Sequence, residues 1–548
     1  MIGLVREHLA RDPGAPLLID AHPERPLRVT RAAFWQRVEA LHEELSSRGV
    51  GDGDCVAVWL PNWSDTLVWQ FAAVSLGAHV IGINTRYNTE EATHILDLAR
   101  PAVVAVAHGF AGLDLGGRLA GAAAASSAPP PAVAVVSGPH VTPVAADEAA
   151  AYDVGAGAWT PGGARPREAS RAELRDHPDR LAVAFTTSGS TGRPKLAAHA
   201  VAAVAEHARA CAAAGGWDAG SVTVCCLPLT GVFSFIPAMA TIAAGGACLL
   251  EPSFDAHAIV RDMERHGATH VVGADDIVGR LVDAARGRPR DLSRWKRLLL
   301  ADFNGRSEGL AAWAEDRLGL LAGGVYGSSE LFALAALWPG DVPAPRRWRG
   351  GGRPVSPAIE VRTGHPDTGE AFPPGEVGEL QFRGPNVVDA YLGDPGRRAA
   401  VHTPDGWFRS GDLGSVSPDG GFEYLCRIGD ALRLKGFLVE PAEIENRLAA
   451  HDAVGIAKVV GIRGPDGETA AVAFAVLRDG FRTGSEELVA WCAQALARHK
   501  VPRAVHLITD MPVTSGVNGT KIRAAALREW AAALDRDPHC IIPLPTRR

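Results

Sequence analysis

The chain alternates short apolar runs with segments of helical spacing, and this alternation restricts its fold more than any other feature. CVAVWL (55–60), HVIGIN (79–84) and LAVAFTT (181–187) carry no Asp, Glu, Lys or Arg and are too short to be ordinary helices. Runs of this kind suit strands covered on both faces, and so parallel strands flanked by helices. Residues 30–50 place apolar side chains at helical spacing, with Thr30 as the N-cap. A second, apolar helix is expected after CVAVWL, ending near Leu76. The fold class is therefore α/β, built from βαβ units.

The texture changes along the chain. Residues 119–166, rich in Ala, Pro, Gly and Ser, read as an irregular, partly exposed connection. An apolar helix is expected over 197–214. From about 350 to Gly420, short strands and Gly-Pro or Asp-Gly turns predict a β-rich subdomain. Residues 428–548 return to an α+β rhythm, with strands near 455–461 and 469–477, a helix at 485–498 and a basic tail. A boundary is expected near Arg427–Asp430, dividing a large N-terminal domain (1–427, β-rich over about 350–427) from a small C-terminal one (428–548).

Composition excludes several classes. Hydrophobic residues make up 47% and charged residues 21%, which predicts a large buried core. A net charge of -7 gives no basic face for nucleic acid. The eight cysteines contain no C-x-x-C pair, so no zinc or redox motif is visible, and a reducing cytoplasm is the expected location. Gly231 to Leu250 is uncharged, but it contains Pro237, Gly245 and Gly246 and lacks a basic flank. A buried helix leading into a strand is expected there, not a membrane span.

The run LAVAFTT passes directly into Thr187-Ser188-Gly189-Ser190-Thr191-Gly192-Arg193-Pro194-Lys195. Its glycines let backbone amides turn toward an anion, and its hydroxyls and Lys195 add donors suited to phosphate oxygens. It is not a Walker loop, because G-x-x-x-x-G-K-[ST] is absent.

TTSGSTGRPK resembles the signature loop of the adenylate-forming superfamily, which includes acyl-CoA synthetases, luciferases and peptide-synthetase adenylation domains. Four further segments resemble that family in order. VYGSSE (325–330) resembles its Y-G-x-[ST]-E motif. The resemblance implies Tyr326 and Gly327 beside adenine, Ser329 on the α-phosphate and Glu330 on Mg²⁺, a hard cation that prefers carboxylate oxygen. DGWFRSGDLG (405–414) implies Asp412 as acceptor of the ribose hydroxyls, with Arg427 also on ribose. RIGDALRLKGFLVEPAEIE (427–445) resembles the crossing into a mobile C-terminal domain, with Gly429 at the hinge where relatives carry Asp or Lys. Arg433, Lys435 and Gly436 are implied in the thioester step. PVTSGVNGTKIR (512–523) maps the family's catalytic lysine to Lys521. GVGDGDCVAVWLPN and GINTRYNTEE also match, so the resemblance spans roughly residues 25–530.

The resemblance implies an ATP-dependent, AMP-forming acid–CoA ligase, with ATP, Mg²⁺ and CoA at one centre and Lys521, Glu330 and Lys195 as its catalytic groups. The implied acyl pocket includes Gly231, Val232, Phe235 and Gly324, with Phe233 nearby; Gly231 stands where many relatives carry a bulky residue. A bulky aryl or polycyclic acid is therefore expected. The family's adenine-side G-G-A-P is absent, and ADFNG (Ala301–Gly305) takes its place. His257, His266 and His270, spaced by nine and four, read as solvated positions and not a metal site. A carrier-protein phosphopantetheine in place of CoA, a homodimer, an oxidising luciferase and a non-catalytic acyl-AMP sensor stay open, although retention of Lys521, Glu330 and Asp412 speaks against the sensor.

Overall fold

The computed structural model describes residues 1–162, 173–187, 194–287, 290–430, 432–434, 437–439, 441–463, 469–516 and 519–536. Two large sheets face each other across buried helices. One sheet has eight strands, in the order Ala390–Tyr391, Lys195–Ala200, Leu181–Thr187, His79–Gly82, Cys55–Trp59, Val103–His108, Ala132–Ser137 and Ala158–Trp159. From Leu181–Thr187 to Ala158–Trp159 its neighbours are parallel. The three apolar runs that predicted strands all lie in this sheet.

The other sheet has thirteen strands. Pro16–Asp20, Ala247–Leu250, Val222–Cys225, His270–Ala274, Arg297–Ala301 and Leu321–Tyr326 are parallel neighbours. Beyond Leu321–Tyr326 the sheet continues antiparallel through Ala336–Leu337, Gly351–Pro354, Phe422–Arg427, Phe408–Val416, Gly378–Arg383 and Glu360–Gly364. The β-rich stretch is thus hydrogen-bonded to the parallel strands and not a detached leaf.

Helices Ser64–Ser75, Val201–Gly215 and Val232–Ala244 fill the space between the sheets. Every residue from Val232 to Ile242 is buried, which accounts for the uncharged stretch around Pro237. Among the described residues no helix is long and apolar enough to cross a membrane. Thr30 caps the Arg31–Ser47 helix, its hydroxyl accepting from the Ala33 amide at 3.2 Å.

Three local expectations are corrected. The segment expected as one helix over 197–214 begins as strand Lys195–Ala200, because the chain doubles back and pairs Thr187 with Lys195 before the helix starts at Val201. The supposed connection 119–166 contains helix Leu115–Ala125 and buried strand Ala132–Ser137. The prolines at 129–131 stand before that strand, and its apolar residues pair with Val103–His108. The helix expected at 485–498 ends at Ala493.

From Leu432 onward the chain builds its own cores. Strands Val454–Arg463, Thr469–Leu477 and Ala504–Leu507 form a three-stranded sheet. Helices Pro441–Ala449 and Ser485–Ala493 share one apolar cluster with this sheet, and helix Ala524–Arg536 shares another.

Candidate active site

The parallel strands of the large sheet end at Tyr326, where the motif VYGSSE begins. Tyr326 is 7% exposed, with its ring stacked on Phe382 (centroids 5.4 Å apart, planes 14° apart) and edge-on to Phe422. One face expected to serve adenine is therefore already covered by Phe382. Its phenol donates to Asp412 Oδ2 at 2.6 Å, and Arg427 Nε lies 3.1 Å from Asp412 Oδ1. The antiparallel register places Asp412 directly opposite Arg427. Burial, with Asp412 beside it, holds the Tyr326 phenol well above its ordinary pKa. Three residues read separately from the sequence thus form one hydrogen-bonded and ionic unit.

Ser329 is buried and Glu330 is half-buried. No hydrogen bond or ion pair among the described residues engages the Glu330 carboxylate. Burial and the nearby Arg397 hold the Lys195 ammonium below its ordinary pKa, while Glu330 and Asp394 pull the other way. Lys195 and Glu330 therefore share one electrostatic environment. A half-buried carboxylate that makes no direct ion pair among the described residues, with Lys195 only in its wider field, fits Mg²⁺, which takes one or two carboxylates plus substrate phosphates. Among the described residues no cluster of three or more His, Cys, Asp or Glu offers an all-protein metal cage.

Ser188, Gly189, Ser190, Thr191, Gly192 and Arg193 lie outside the described residues, as do Lys435 and Gly436; the backbones of Arg433 and Lys521 are described, but not their side chains. The loop's flanks are held: His94 Nε2 donates to the Pro194 carbonyl at 2.7 Å, and Tyr87 and Thr186 share a 2.9 Å hydroxyl bond. Lys521 stands on strand Gly519–Ile522, opposite Thr514 in a hairpin that lies against helix Asp275–Gly287 of the large domain.

That helix also organises the segment replacing G-G-A-P. The buried Asp275 carboxylate accepts from the Asn304 amide at 2.9 Å, the Asn304 side chain at 2.9 Å and the Arg306 amide at 3.2 Å. Burial and the neighbouring Asp302 push its pKa upward. Asp275 was missed from the sequence, since nothing local distinguishes it from an ordinary acidic residue at a helix start.

Gly231 is buried at the N-cap of Val232–Ala244, with φ -111° and ψ 143°. Val232, Phe233 and Phe235 are buried, and Phe235 packs edge-on to Phe185 at 5.4 Å. Gly324 has a different reason to be glycine. A Cβ there would lie 1.9 Å from the Arg349 carbonyl oxygen, so backbone fills the space assigned to an acyl group. Gly429 is exposed, and a Cβ on it would meet nothing within 4 Å. Arg528 donates to the Gly429 carbonyl at 2.9 Å and pairs with Asp430. Of the three histidines read as solvated, His270 is buried and stacked on Trp217 at 4.7 Å, a packing role its sequence neighbours do not reveal.

The family model for the AMP-binding enzyme matches residues 5–392, and that for the AMP-binding enzyme C-terminal domain matches residues 443–516. The chain belongs to the AMP-binding enzyme family. Like other members that couple acids to CoA, this AMP-binding enzyme is an ATP-dependent, AMP-forming carboxylic acid–CoA ligase. It is 30% identical over 502 residues to a feruloyl-CoA synthase from Amycolatopsis sp, covering 89% of this chain and 91% of that one. A (methyl-dioxo-octahydro-indenyl)propanoyl:CoA ligase from Mycobacterium tuberculosis is 31% identical, covering 88% of this chain and 91% of its own. The solved structure of an amide bond synthetase from Marinactinospora thermotolerans superposes with a TM-score of 0.81 at 27% identity, covering 97% of this chain and 99% of that one.

Proposed function

We propose that this AMP-binding enzyme activates an aryl or similarly bulky carboxylic acid and passes it to free CoA. Gly231 carries the proposal. Its backbone angles are ordinary extended values that any residue adopts, so conformation does not demand glycine there. On this reading the missing side chain, at the head of a helix buried from Val232 to Ile242, leaves room for a large acyl group. The relatives named for feruloyl and octahydro-indenyl acids support the same class.

A carboxylate is a poor acyl donor because its leaving group would be oxide. Attack of the acid on the α-phosphate of ATP expels pyrophosphate and gives a mixed anhydride with AMP. Negative charge approaches negative charge in this step, and Lys195 and Lys521 supply the opposing cations. Asp412, held by Tyr326 and Arg427, seats the ribose. Glu330 would hold Mg²⁺, which neutralises phosphate charge when bound. The CoA thiol then attacks the acyl carbon and AMP leaves. Rotation about Gly429 exchanges the Lys521 hairpin for the Arg433–Gly436 face between these steps. The reaction belongs to the cytoplasm, in keeping with the seven described cysteines, all free thiols.

The test is a competition. Ferulic acid, a bicyclic alkanoic acid and acetate are mixed at equal concentration with ATP, Mg²⁺ and CoA, and the thioesters are weighed by mass spectrometry. Aryl or bicyclic thioesters should dominate. Acetyl-CoA alone would overturn the acid class, and acyl-AMP accumulating without any thioester would point to a carrier protein as acceptor.

A further inference from the structure

Immediately after Glu330 the backbone does something rare. Phe332, Ala333 and Leu334 have φ values of 60°, 48° and 33°, three consecutive non-glycine residues in the left-handed region. Side chains disfavour that region, so surrounding structure must hold the turn. Gly327 belongs to the same arrangement, since a Cβ on it would lie 2.7 Å from the Ala333 backbone.

The carbonyls of this turn are satisfied largely from other segments. His199 Nε2 donates to Ser329 O at 2.7 Å, Val388 N to Glu330 O at 2.7 Å, and Asn386 Nδ2 to Leu331 O at 2.9 Å. His207 Nε2 donates to Ala333 O at 2.9 Å, and Cys211 Sγ approaches Leu334 O at 3.7 Å. The Phe332 ring stacks on His199 at 4.2 Å and on His207 at 5.6 Å. A carbonyl only accepts, so both imidazoles carry their proton on Nε2. His199 Nδ1 is buried without a partner among the described residues, so the neutral ring is the form that fits. Burial lowers both histidines to about 4.

We propose that His199 and His207 are positioning residues that clamp this left-handed turn and thereby fix the backbone from which Ser329 and Glu330 project. The inference rests on reading those two residues as the phosphate and Mg²⁺ contacts. His199 lies four residues beyond Lys195 on the same strand, and His207 lies on the helix that follows. The segment leaving the phosphate loop therefore also grips the second motif and sets the distance between them.

The experiment compares His207→Gln with His207→Asn in the full chain. Glutamine carries its amide nitrogen about as far out as imidazole Nε2, whereas asparagine falls short. Calorimetric titration with ATP alone and with ATP plus Mg²⁺ gives the enhancement of ATP affinity by the metal. Wild type and His207→Gln should keep that enhancement, and His207→Asn should lose at least tenfold of it with metal-free ATP binding unchanged. Equal enhancement in the two variants would overturn the clamp, as would equal loss with and without Mg²⁺. If neither variant folds, both are repeated in an Ala333→Gly background, where glycine occupies the left-handed region without side-chain strain, and equal enhancement in the two there would also overturn it. Glu330→Gln runs alongside. If it leaves the Mg²⁺ effect intact, the metal assignment fails; if it abolishes the effect while His207→Asn does not, only the clamp fails.

Discussion

The Tyr326 phenol and the Asp412 carboxylate meet at 2.6 Å although 86 residues separate them in the chain. The bond joins the last parallel strand of the large sheet to its antiparallel extension. It fixes the carboxylate that the ribose is proposed to meet. A hydrogen bond to a charged group contributes about 1.5–3 kcal/mol, so Tyr326→Phe should raise the KM for ATP by roughly ten- to a hundredfold. The KM for the acid should hardly move. Steady-state kinetics with each substrate varied in turn checks this, and an unchanged ATP KM would remove Asp412 from the ribose seat.

His207 should impose a recognisable pH dependence on stability. Its ordinary pKa is 6.5 and burial lowers it to about 4, so between these values the unfolded chain binds a proton that the folded chain does not. Its contribution is intact above 6.5 and is lost as pH falls toward 4, at roughly 1 kcal/mol per pH unit. Asp20, raised to about 6, and Glu251, raised to about 8, act in the opposite sense, losing stability as pH rises. The wild-type slope therefore mixes both kinds of group. Denaturant titrations of wild type and His207→Gln remove the common terms. The difference between them should shift against wild type as pH falls from 6.5 to 4, and a constant difference would mean the ring is not buried and neutral.

Gly429 is the proposed pivot, and its surroundings leave room for any side chain. Gly429→Pro fixes φ and should leave adenylation within about threefold of wild type while slowing thioester formation from supplied acyl-AMP by at least ~10-fold. Rapid-quench measurement of the two half-reactions separates the effects. Equal slowing of both would place the pivot elsewhere.

Much of this arrangement was legible in the sequence because it depends on local pattern. The uncharged runs at 55–60, 79–84 and 181–187 became parallel strands, and the uncharged stretch from Gly231 to Leu250 became a buried helix and strand, since burial on all sides leaves no place for charge. Pairings that depend on distant segments were not legible. Nothing in KLAAHA says that it will fold back on Leu181–Thr187 as a strand, and its alanines favour helix in isolation. Gly324 read as pocket space, but the Arg349 carbonyl that requires it lies 25 residues away in sequence and crosses it only after folding. Asp275, His199 and His207 escaped notice for the same reason: each acts by bonding backbone groups of a segment far along the chain, and no local spacing signals such a bond.

The central claim is that one centre performs two steps served by different faces of the C-terminal domain, with Lys521 needed in the first. Single-turnover kinetics of Lys521→Ala tests it most directly, by following acyl-AMP formation from acid and ATP and thioester formation from supplied acyl-AMP and CoA. Loss of one well-aimed charged donor costs about 3–4 kcal/mol, so acyl-AMP formation should slow by ~10²–10³-fold while thioester formation stays near the wild-type rate. Equal loss in both half-reactions, or none in the first, would contradict the claim.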